Sequence, residues 1–259
     1  MFRKSGSFYG LVFGLFAVFG AFFLEGGSLK ALFLLPPIVI VFGGTFAATI
    51  IGFGVGKFLK IFQLIKIAYL PPSYDIKTMI NSFVDISVKS RRLGLLSVED
   101  DLYKLLYHFP QKMVKFVLDG TNSEMLETIA RTEIKSMEYR HNSNIFIFLK
   151  MGGYAPTMGI IGTVMALIMT LANAGSDPNA LIHNIASAFI ATLWGIVSAN
   201  FFWLPLADKL KQCHLEEKHM MEVSLEAVLA IQSGEIPTII KSRLVSMLPK
   251  RDQEGLQTL

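Results

Sequence analysis

Residues 151–176 read MGGYAPTMGIIGTVMALIMTLANAGS, and residues 178–207 read PNALIHNIASAFIATLWGIVSANFFWLPLA. Neither stretch contains Asp, Glu, Lys or Arg, and the same is true of residues 5–24 and 31–56. An uncharged, mostly apolar run of about 18 or more residues is long enough to cross the hydrocarbon core of a bilayer as a helix. The sequence therefore predicts four transmembrane helices.

The composition of the whole chain supports a membrane protein. The 259 residues are 52% hydrophobic and 17% charged, whereas a soluble domain carries about a quarter charged residues. This balance excludes a disordered chain, a collagen-like chain and a nucleic-acid-binding module. The single cysteine, Cys213, excludes a disulfide scaffold.

Positive charge is distributed unevenly among the segments that flank the apolar runs. Of the 24 Lys and Arg residues, two precede the first run, fourteen lie in 57–150 and seven follow residue 207, but one lies in 25–30 and none in 173–180. Because Lys and Arg accumulate on the cytoplasmic side, we predict cytoplasmic N- and C-termini and two short external loops. A cleaved signal peptide is the alternative for the first run, and the length of that run favours a retained helix.

The segments outside the runs carry helical patterns. Apolar residues three and four positions apart predict one helix from Tyr74 to His108 and another from Ser123 to Lys150, with Ser123 as its N-cap. Asp119-Gly120 predicts a turn between helices, and Gly234 predicts a helix C-cap.

The expected fold class is therefore an all-α integral membrane protein with four transmembrane helices, a large helical cytoplasmic domain between helices two and three, and a helical C-terminal tail. The predicted domains are 5–56 (transmembrane helices one and two), 57–150 (cytoplasmic domain), 151–207 (transmembrane helices three and four) and 208–259 (cytoplasmic tail).

Small residues recur every three or four positions along the third and fourth runs. They are Gly159, Thr163, Ala166 and Thr170 in the third run, and Asn184, Ala188, Ala191, Gly195 and Ser198 in the fourth. Small residues at this spacing let helix backbones approach closely. The faces could pack within the chain, but two such faces favour contact with helices of other chains, in a ring or around a partner.

Several residue types that carry chemistry are absent from the sequence. An ion-coupled carrier usually holds Asp or Glu inside the membrane, and none of the four runs contains either residue. The chain is therefore not ion-coupled, or a partner supplies the carboxylate. No Walker loop, dinucleotide fingerprint, metal cluster or nucleophile elbow is present, so we expect neither an enzyme nor a bound cofactor. His141, His214 and His219 lie in polar helical segments and are expected to be solvated.

The sequence resembles the MotA and PomA family of flagellar motor stator subunits, within the MotA/TolQ/ExbB superfamily. The resemblance runs in order from residue 5 to about residue 250. It is carried by Glu25-Gly-Gly, Val41–Thr45 (VFGGT), Arg91–Glu99 (RRLGLLSVE), Tyr154–Thr163 (YAPTMGIIGT), Ala188–Asn200 (AFIATLWGIVSAN) and Leu204–Lys211 (LPLADKLK).

This resemblance implies a homopentamer in the bacterial cytoplasmic (inner) membrane. The pentamer would surround two copies of a MotB/PomB-type partner, which has one transmembrane helix, a peptidoglycan-binding domain and a membrane aspartate. Transported Na⁺ or H⁺ passing that aspartate would rotate the pentamer, and the cytoplasmic domain would push on a rotor switch protein of the FliG type. The missing carboxylate would then belong to the partner, and no nucleic acid is involved.

The resemblance also implies roles for individual residues. Thr163 and Thr192 would lie on the ion pathway as possible Na⁺ ligands, and Pro156 and Pro205 would couple ion flow to conformation. Arg91 or Arg92, with Glu99, would contact the rotor. The residues expected to pack around the partner are Gly159, Ala166, Ala188 and Gly195. Ala166 stands where Gly is common in the family.

Each of these roles has a structural alternative. The prolines could simply end helices, the charged residues could form a solvated face, and each threonine hydroxyl could bond to its own helix backbone. Sodium-type stators have Thr at the position of Thr163, where many proton-type stators have Ala, so the resemblance favours Na⁺.

Two other functions compete with the stator. An ExbB/TolQ-type energiser of an envelope complex typically has three spans and an external N-terminus, which the charge distribution disfavours. A stand-alone channel or secondary transporter often shows an internal repeat, and we find none between the first and second pairs of runs.

Overall fold

The structure is a computed structural model, and it describes residues 2–173 and 178–254. The α-helices are, in chain order, α1 (Phe2–Leu24), α2 (Leu29–Leu32), α3 (Leu35–Ile38), α4 (Gly44–Phe53), α5 (Val55–Leu59), α6 (Ile61–Tyr69), α7 (Ile76–Leu93), α8 (His108–Leu118), α9 (Ser123–Ala172), α10 (Pro178–Ser198), α11 (Leu204–Gln232), α12 (Pro237–Ser246) and α13 (Lys250–Gln253). Val39–Gly43 and Ala199–Trp203 are π-helices, and Leu95–Lys104 is a 3₁₀-helix. No strand occurs in the described ranges, and the predicted all-α class is confirmed.

Among the described residues, three helical stretches are long and apolar enough to cross a membrane: Leu35–Phe53, Ser123–Ala172 and Pro178–Gln232. The first uncharged run forms α1, whose apolar part, Tyr9–Leu24, is shorter. These helices agree with an integral membrane protein, while the exact number of four spans stays a prediction. Within the predicted external loop 173–180, residues 174–177 lie outside the described residues.

The chain divides into two compact units. The apolar unit comprises Met1–Pro72 and His141–Cys213, and the polar unit comprises Ser73–Arg140 and His214–Leu259. Helices α9 and α11 each contribute residues to both units. The predicted domain boundaries mark where the chain is expected to enter and leave the membrane, whereas the two units are defined by compactness. The predicted boundaries therefore stay predictions.

The polar unit is held by a buried apolar core. Helices α7, α8, α9, α11 and α12 and the 3₁₀-helix all contribute to it, and its fully buried side chains include Met79, Ile80, Phe83, Val98, Met113, Leu126, Val223, Ile240 and Leu244. His214 also lies in this unit and is only 7% exposed, so the prediction that His214 is solvated is wrong.

The prediction of one helix from Tyr74 to His108 is wrong. Helix α7 starts after Asp75, whose carboxylate accepts a hydrogen bond from the Thr78 backbone N–H at 3.1 Å. It ends at Gly94, which adopts a φ of +86°, a conformation that glycine takes without the steric penalty of a Cβ. A 3₁₀-helix then follows instead of continued α-helix.

The other predicted helix boundaries agree more closely with the structure. Gly120 and Gly234 have φ values of +82° and +72° and end α8 and α11, which confirms the predicted turn and C-cap. Helix α9 begins at Ser123 as predicted, but the side chain that caps it is Asn122, whose Oδ1 accepts the Met125 N–H at 2.8 Å. The predicted N-cap was therefore one residue too late.

The apolar unit has a second buried cluster. Helix α6 buries Ile61, Leu64 and Ala68, which share one face because helical residues three, four and seven apart lie together. That face belongs to a cluster with Phe148 of α9 and Trp203 of the second π-helix. The cluster therefore packs α6 with α9 and with the π-helix that follows α10.

Candidate ion-pathway site

Helices α9 and α10 touch backbone to backbone. A Cβ atom added to Gly159 would lie 2.8 Å from the Ala191 carbonyl oxygen, and one added to Gly195 would lie 2.8 Å from the Ala155 carbonyl oxygen. Real Cβ atoms do not approach backbone this closely, so glycine is required at both positions. The two glycines therefore bring the third and fourth apolar helices of one chain into direct contact.

One turn from this contact, two hydroxyls meet. The Thr163 Oγ1 lies 2.6 Å from the Thr192 Oγ1. The single Thr163 hydroxyl proton has two carbonyl acceptors in range, Gly159 at 3.0 Å and Ala188 at 3.2 Å. The Thr192 Oγ1 lies 3.5 Å from the same Ala188 carbonyl. Both threonines are half-buried. The structure thus brings together the two residues that the resemblance placed on the ion pathway.

This cluster can accept a cation chemically. Each hydroxyl has one proton and two lone pairs, so after the mutual hydrogen bond the pair still has unused lone pairs. Hydroxyl and carbonyl oxygens are hard ligands of the kind that alkali cations accept in place of water. The contacts also fit the structural alternative, in which the hydroxyl bonds to its own helix backbone, because Thr163 bonds to the carbonyl four residues earlier in its own helix.

The small residues around the pair make contacts within the chain. Ala188 of α10 is buried, and its carbonyl oxygen lies 3.2 Å from the Thr163 hydroxyl of α9. Ala166 is half-buried, and its carbonyl accepts a hydrogen bond from the Thr170 hydroxyl at 2.9 Å. Intrachain packing is therefore established for the glycines and Ala188. The prediction that all four pack around a partner stays a prediction.

Neither of the two prolines ends a helix. Pro156 lies inside α9, and its Cα would be 3.2 Å from a Cβ added to Gly195. Pro205 is exposed and is the second residue of α11, directly after the π-helix Ala199–Trp203. A proline removes a backbone donor, and π-helical turns are common at functional sites. Pro156 therefore lies within a helix and Pro205 at the start of one, and the coupling role of both stays a prediction.

The three charged residues predicted to meet the rotor are exposed on the polar unit. Arg91 and Arg92 lie in the last turn of α7, and Glu99 lies in the 3₁₀-helix beyond Gly94. The Arg91 guanidinium donates to the Gly234 carbonyl at 3.5 Å. Within the described residues, none of these three side chains forms an ion pair. Their charges are therefore available to a partner.

An ion-pair cluster holds the segment that carries Glu99. The Asp101 carboxylate forms ion pairs with the ammonium groups of Lys89 of α7, at 2.7 Å, and Lys104, at 2.8 Å. Hydrogen bonds from Lys104 and then Lys89 lower the pKa of Asp101, because they stabilise the charged carboxylate. The Lys89–Asp101 pair ties the 3₁₀-helix to α7 and so orients Glu99 relative to Arg91.

Comparisons with known proteins identify the relatives of this chain. The profile of the MotA/TolQ/ExbB proton channel family matches residues 102–223, a range that includes the threonine pair. This is a family of channel and stator proteins and not an enzyme family.

Individual relatives are more specific. Motility protein A of Bacillus subtilis is 32% identical over 95% of this chain and 92% of its own length, and the chemotaxis protein PomA of Vibrio alginolyticus is 29% identical over 92% and 93%. The solved flagellar MotAB stator complex from Bacillus subtilis contains a chain with 31% identity and a TM-score of 0.90, covering 96% of this chain and 98% of that one. The chain therefore belongs to the motility protein A family.

Proposed function

We propose that this chain is the membrane-embedded channel subunit of a flagellar stator. It would assemble as a homopentamer around two copies of a one-span, peptidoglycan-binding partner and convert ion flow into torque on the rotor. The observation that carries the proposal is the Thr163–Thr192 hydroxyl pair on two apolar helices that contain no carboxylate. Such a pathway supplies neutral oxygen ligands but lacks the group that binds and releases an ion.

The proposed location is the bacterial inner membrane, with both termini in the cytoplasm. This orientation rests on the positive charge of 57–150 and of the tail. A topology reporter fused after Gly27 should read outside, and one fused after Gly120 should read inside. A cytoplasmic signal from the Gly27 fusion would overturn the four-span arrangement.

The proposed coupling ion is Na⁺. A sodium ion that sheds water needs several hard oxygens, whereas a proton needs a carboxylate and a chain of waters. Two hydroxyls 2.6 Å apart, with the Gly159 and Ala188 carbonyls within 3.2 Å of Thr163 Oγ1, supply such a group of oxygens.

The test is motor speed against external sodium at fixed membrane potential. We expect wild-type speed to rise with sodium, and Thr163→Ala to lose speed even at high sodium because it removes a ligand. Thr163→Ser keeps the hydroxyl and should retain most of the speed. Thr170→Ala is the matched control, since the Thr170 hydroxyl bonds to the Ala166 carbonyl of its own helix and to no other group among the described residues. Sodium-independent rotation of the wild type would overturn the assignment.

Torque would be transmitted through Arg91 or Arg92 and Glu99. Each contact with a rotor charge is exposed, and such contacts contribute only about 0–1 kcal/mol. Neutralising one residue should therefore slow swimming mildly, and Arg91→Glu should slow it more because repulsion replaces attraction. Arg131→Glu, which changes an exposed arginine paired with Glu127, is the control. If Arg91→Glu and Arg92→Glu swim like the wild type, these arginines take no part in torque.

A further inference from the structure

A cavity opens in the apolar unit away from the threonine pair. It has a volume of about 330 Å³. Its walls come from α1, from the end of α6, and from the π-helix Ala199–Trp203 with the first two turns of α11. The Phe201 ring lines the cavity and packs against Gly14 of α1. The lining is mainly apolar, with Leu11, Phe201 and Leu206 among its residues.

Three polar side chains share this lining: Tyr69, Asn200 and Lys209. Lys209 is half-buried, and no carboxylate in the described part of the chain pairs with it. Its neighbour Asp208 is exposed and does not line the cavity. The amide nitrogen of Asn200 is bonded to the Ile196 carbonyl at 2.9 Å, so its oxygen is the atom left to accept. A partly desolvated ammonium group favours an anion beside it.

The sequence places this cavity at a membrane border. Lys209 is the first cation after the uncharged run 178–207, and Gly10 lies in the half of the run 5–24 that is nearer Arg3 and Lys4. Lys209 and Gly10 are therefore both near the membrane side that carries most of the positive charge, which is the side where anionic lipid head groups accumulate. A cavity that combines apolar walls with the Lys209 cation fits a molecule that has an acyl chain and an anionic head group.

We propose that this cavity binds an anionic glycerophospholipid of the cytoplasmic leaflet. The Lys209 ammonium contacts the lipid phosphate, the Tyr69 hydroxyl donates to a head-group oxygen, and an acyl chain covers Leu11, Phe201 and Leu206. The site joins α1 to the π-helix that precedes Pro205, so a bound lipid stabilises the contact between them. The proposal depends neither on the coupling ion nor on torque.

The glycines of α1 provide a way to fill the cavity selectively. Gly10 lines the cavity, and a Cβ atom added there meets no atom within 4 Å. The Cβ of Gly10→Leu therefore fits without displacing protein atoms, and we expect the rest of the leucine side chain to take up space assigned to the lipid. Gly6 lies one turn earlier in the same helix, is equally open and does not line the cavity. Gly6→Leu is thus the matched control.

The experiment is native mass spectrometry of the full chain, assembled with its partner, after titration with phosphatidylglycerol or phosphatidylcholine. We expect the wild type to retain phosphatidylglycerol preferentially, and Lys209→Gln to bind it about fivefold more weakly, the effect of one lysine near an anionic surface. Gly10→Leu should lose the bound lipid. Lys209→Arg, Gly6→Leu and Lys211→Gln, which removes an exposed lysine two residues away, should retain it.

Inorganic phosphate in excess should not displace the lipid, because free phosphate has no acyl chain to fill the apolar part of the cavity. Circular dichroism of each variant establishes that it is folded. Equal retention of phosphatidylglycerol by the wild type, Lys209→Gln and Gly10→Leu would overturn the proposal. Equal retention of phosphatidylcholine, or displacement by phosphate, would overturn it as well.

Discussion

The two units of this protein differ in the polar interactions that they contain. In the apolar unit, the buried hydroxyls of Thr45, Thr49 and Ser198 each donate to a carbonyl of the preceding helical turn. In the polar unit, charged side chains pair with each other, as Lys218 does with Glu138 at 2.6 Å. Helices inside a bilayer must satisfy polar groups locally because no water is present, whereas surface charges in water can pair or remain solvated.

This difference assigns the ion pathway of the proposed function to the apolar unit and the rotor contact to the polar unit. The apolar unit holds neutral oxygens and exposes large apolar side chains such as Ile160, Val164 and Phe189, which suit lipid or other helices. The polar unit holds the exposed charges of Arg91, Arg92 and Glu99. An ion that enters the apolar unit therefore needs a carboxylate from elsewhere, while a rotor contact can use charges of the chain itself.

The largest expected effect tests whether the polar unit depends on its apolar core. Phe83 is fully buried, at 0% exposure. Phe83→Ala should lower the free energy of unfolding by about 3–5 kcal/mol, because it removes buried apolar surface and leaves a cavity. Guanidinium unfolding followed by circular dichroism measures this change. Tyr103→Ala, at a position 76% exposed, is the control, and an equal loss from both variants would contradict the assigned core.

The next effect tests the helix contact in the apolar unit. Gly159→Ala should destabilise the chain by about 1–3 kcal/mol, the usual cost of overpacking, because its Cβ would meet the Ala191 carbonyl. Gly153 lies in the same helix, and a Cβ added there meets nothing within 4 Å. Gly153→Ala should therefore be neutral or stabilising, since Ala favours helix more than Gly. Thermal unfolding in detergent measures both, and an unchanged Gly159→Ala would show that the helices are not in backbone contact.

A smaller effect concerns the start of α7. Asp75→Ala should cost about 0.5–2 kcal/mol through loss of the N-cap. Hydrogen bonds from the backbone and hydroxyl of Thr78 lower the pKa of Asp75. The contribution of its charge is therefore present above the unfolded-state pKa of about 3.9 and is lost as the pH falls through the lower folded-state pKa.

Asp75→Asn separates the cap from the charge, because Asn caps helices about as well as Asp. This variant should remain folded near neutral pH and lose the part of the acid dependence that Asp75 supplies. Unfolding measured between about pH 2 and pH 6 checks this, since the window spans the pKa of an ordinary and a lowered aspartate. The same acid dependence in wild type and Asp75→Asn would remove Asp75 as its source.

The smallest effect is expected at the ion pair between Lys218 and Glu138. The Lys218 side chain is 35% exposed and that of Glu138 is 27% exposed. The coupling free energy between them should therefore lie in the range of about 0–1 kcal/mol that is typical of surface ion pairs. A hydrogen bond from Lys218 lowers the pKa of Glu138, so the pair weakens only in acid. A double-mutant cycle of Lys218→Gln and Glu138→Gln measures the coupling. A coupling of several kcal/mol would mean that this pair is not a surface pair.

The sequence predicted most reliably the features that depend on composition. Gaps in the charge pattern predicted the apolar helices. The small residues predicted close helix packing, which the structure shows within the chain at Gly159 and Gly195, and the favoured contact with helices of other chains stays a prediction. The resemblance placed Thr163 and Thr192 in one pathway, but only the structure shows their hydroxyls in contact, because a distance between two helices depends on their register and rotation.

What the sequence missed depends on backbone geometry and tertiary packing. The π-helix Ala199–Trp203 has no pattern of its own, since it differs from α-helix only in which carbonyl each N–H reaches. The break at Gly94 had a signal, a glycine within the predicted helix, that the apolar spacing outweighed. The burial of His214 arises from contacts of α11 with other parts of the polar unit, which a helical wheel of α11 alone does not contain.

The most direct test of the account is ion flux into liposomes that hold the chain alone or with its one-span partner. Because the four uncharged runs contain no carboxylate and the threonine pair supplies only neutral oxygens, we predict no sodium or proton flux above empty liposomes from the chain alone. Flux should appear with the partner and disappear when the partner's membrane aspartate is changed to asparagine. Sodium or proton flux through the chain alone, at matched protein content, would contradict the account.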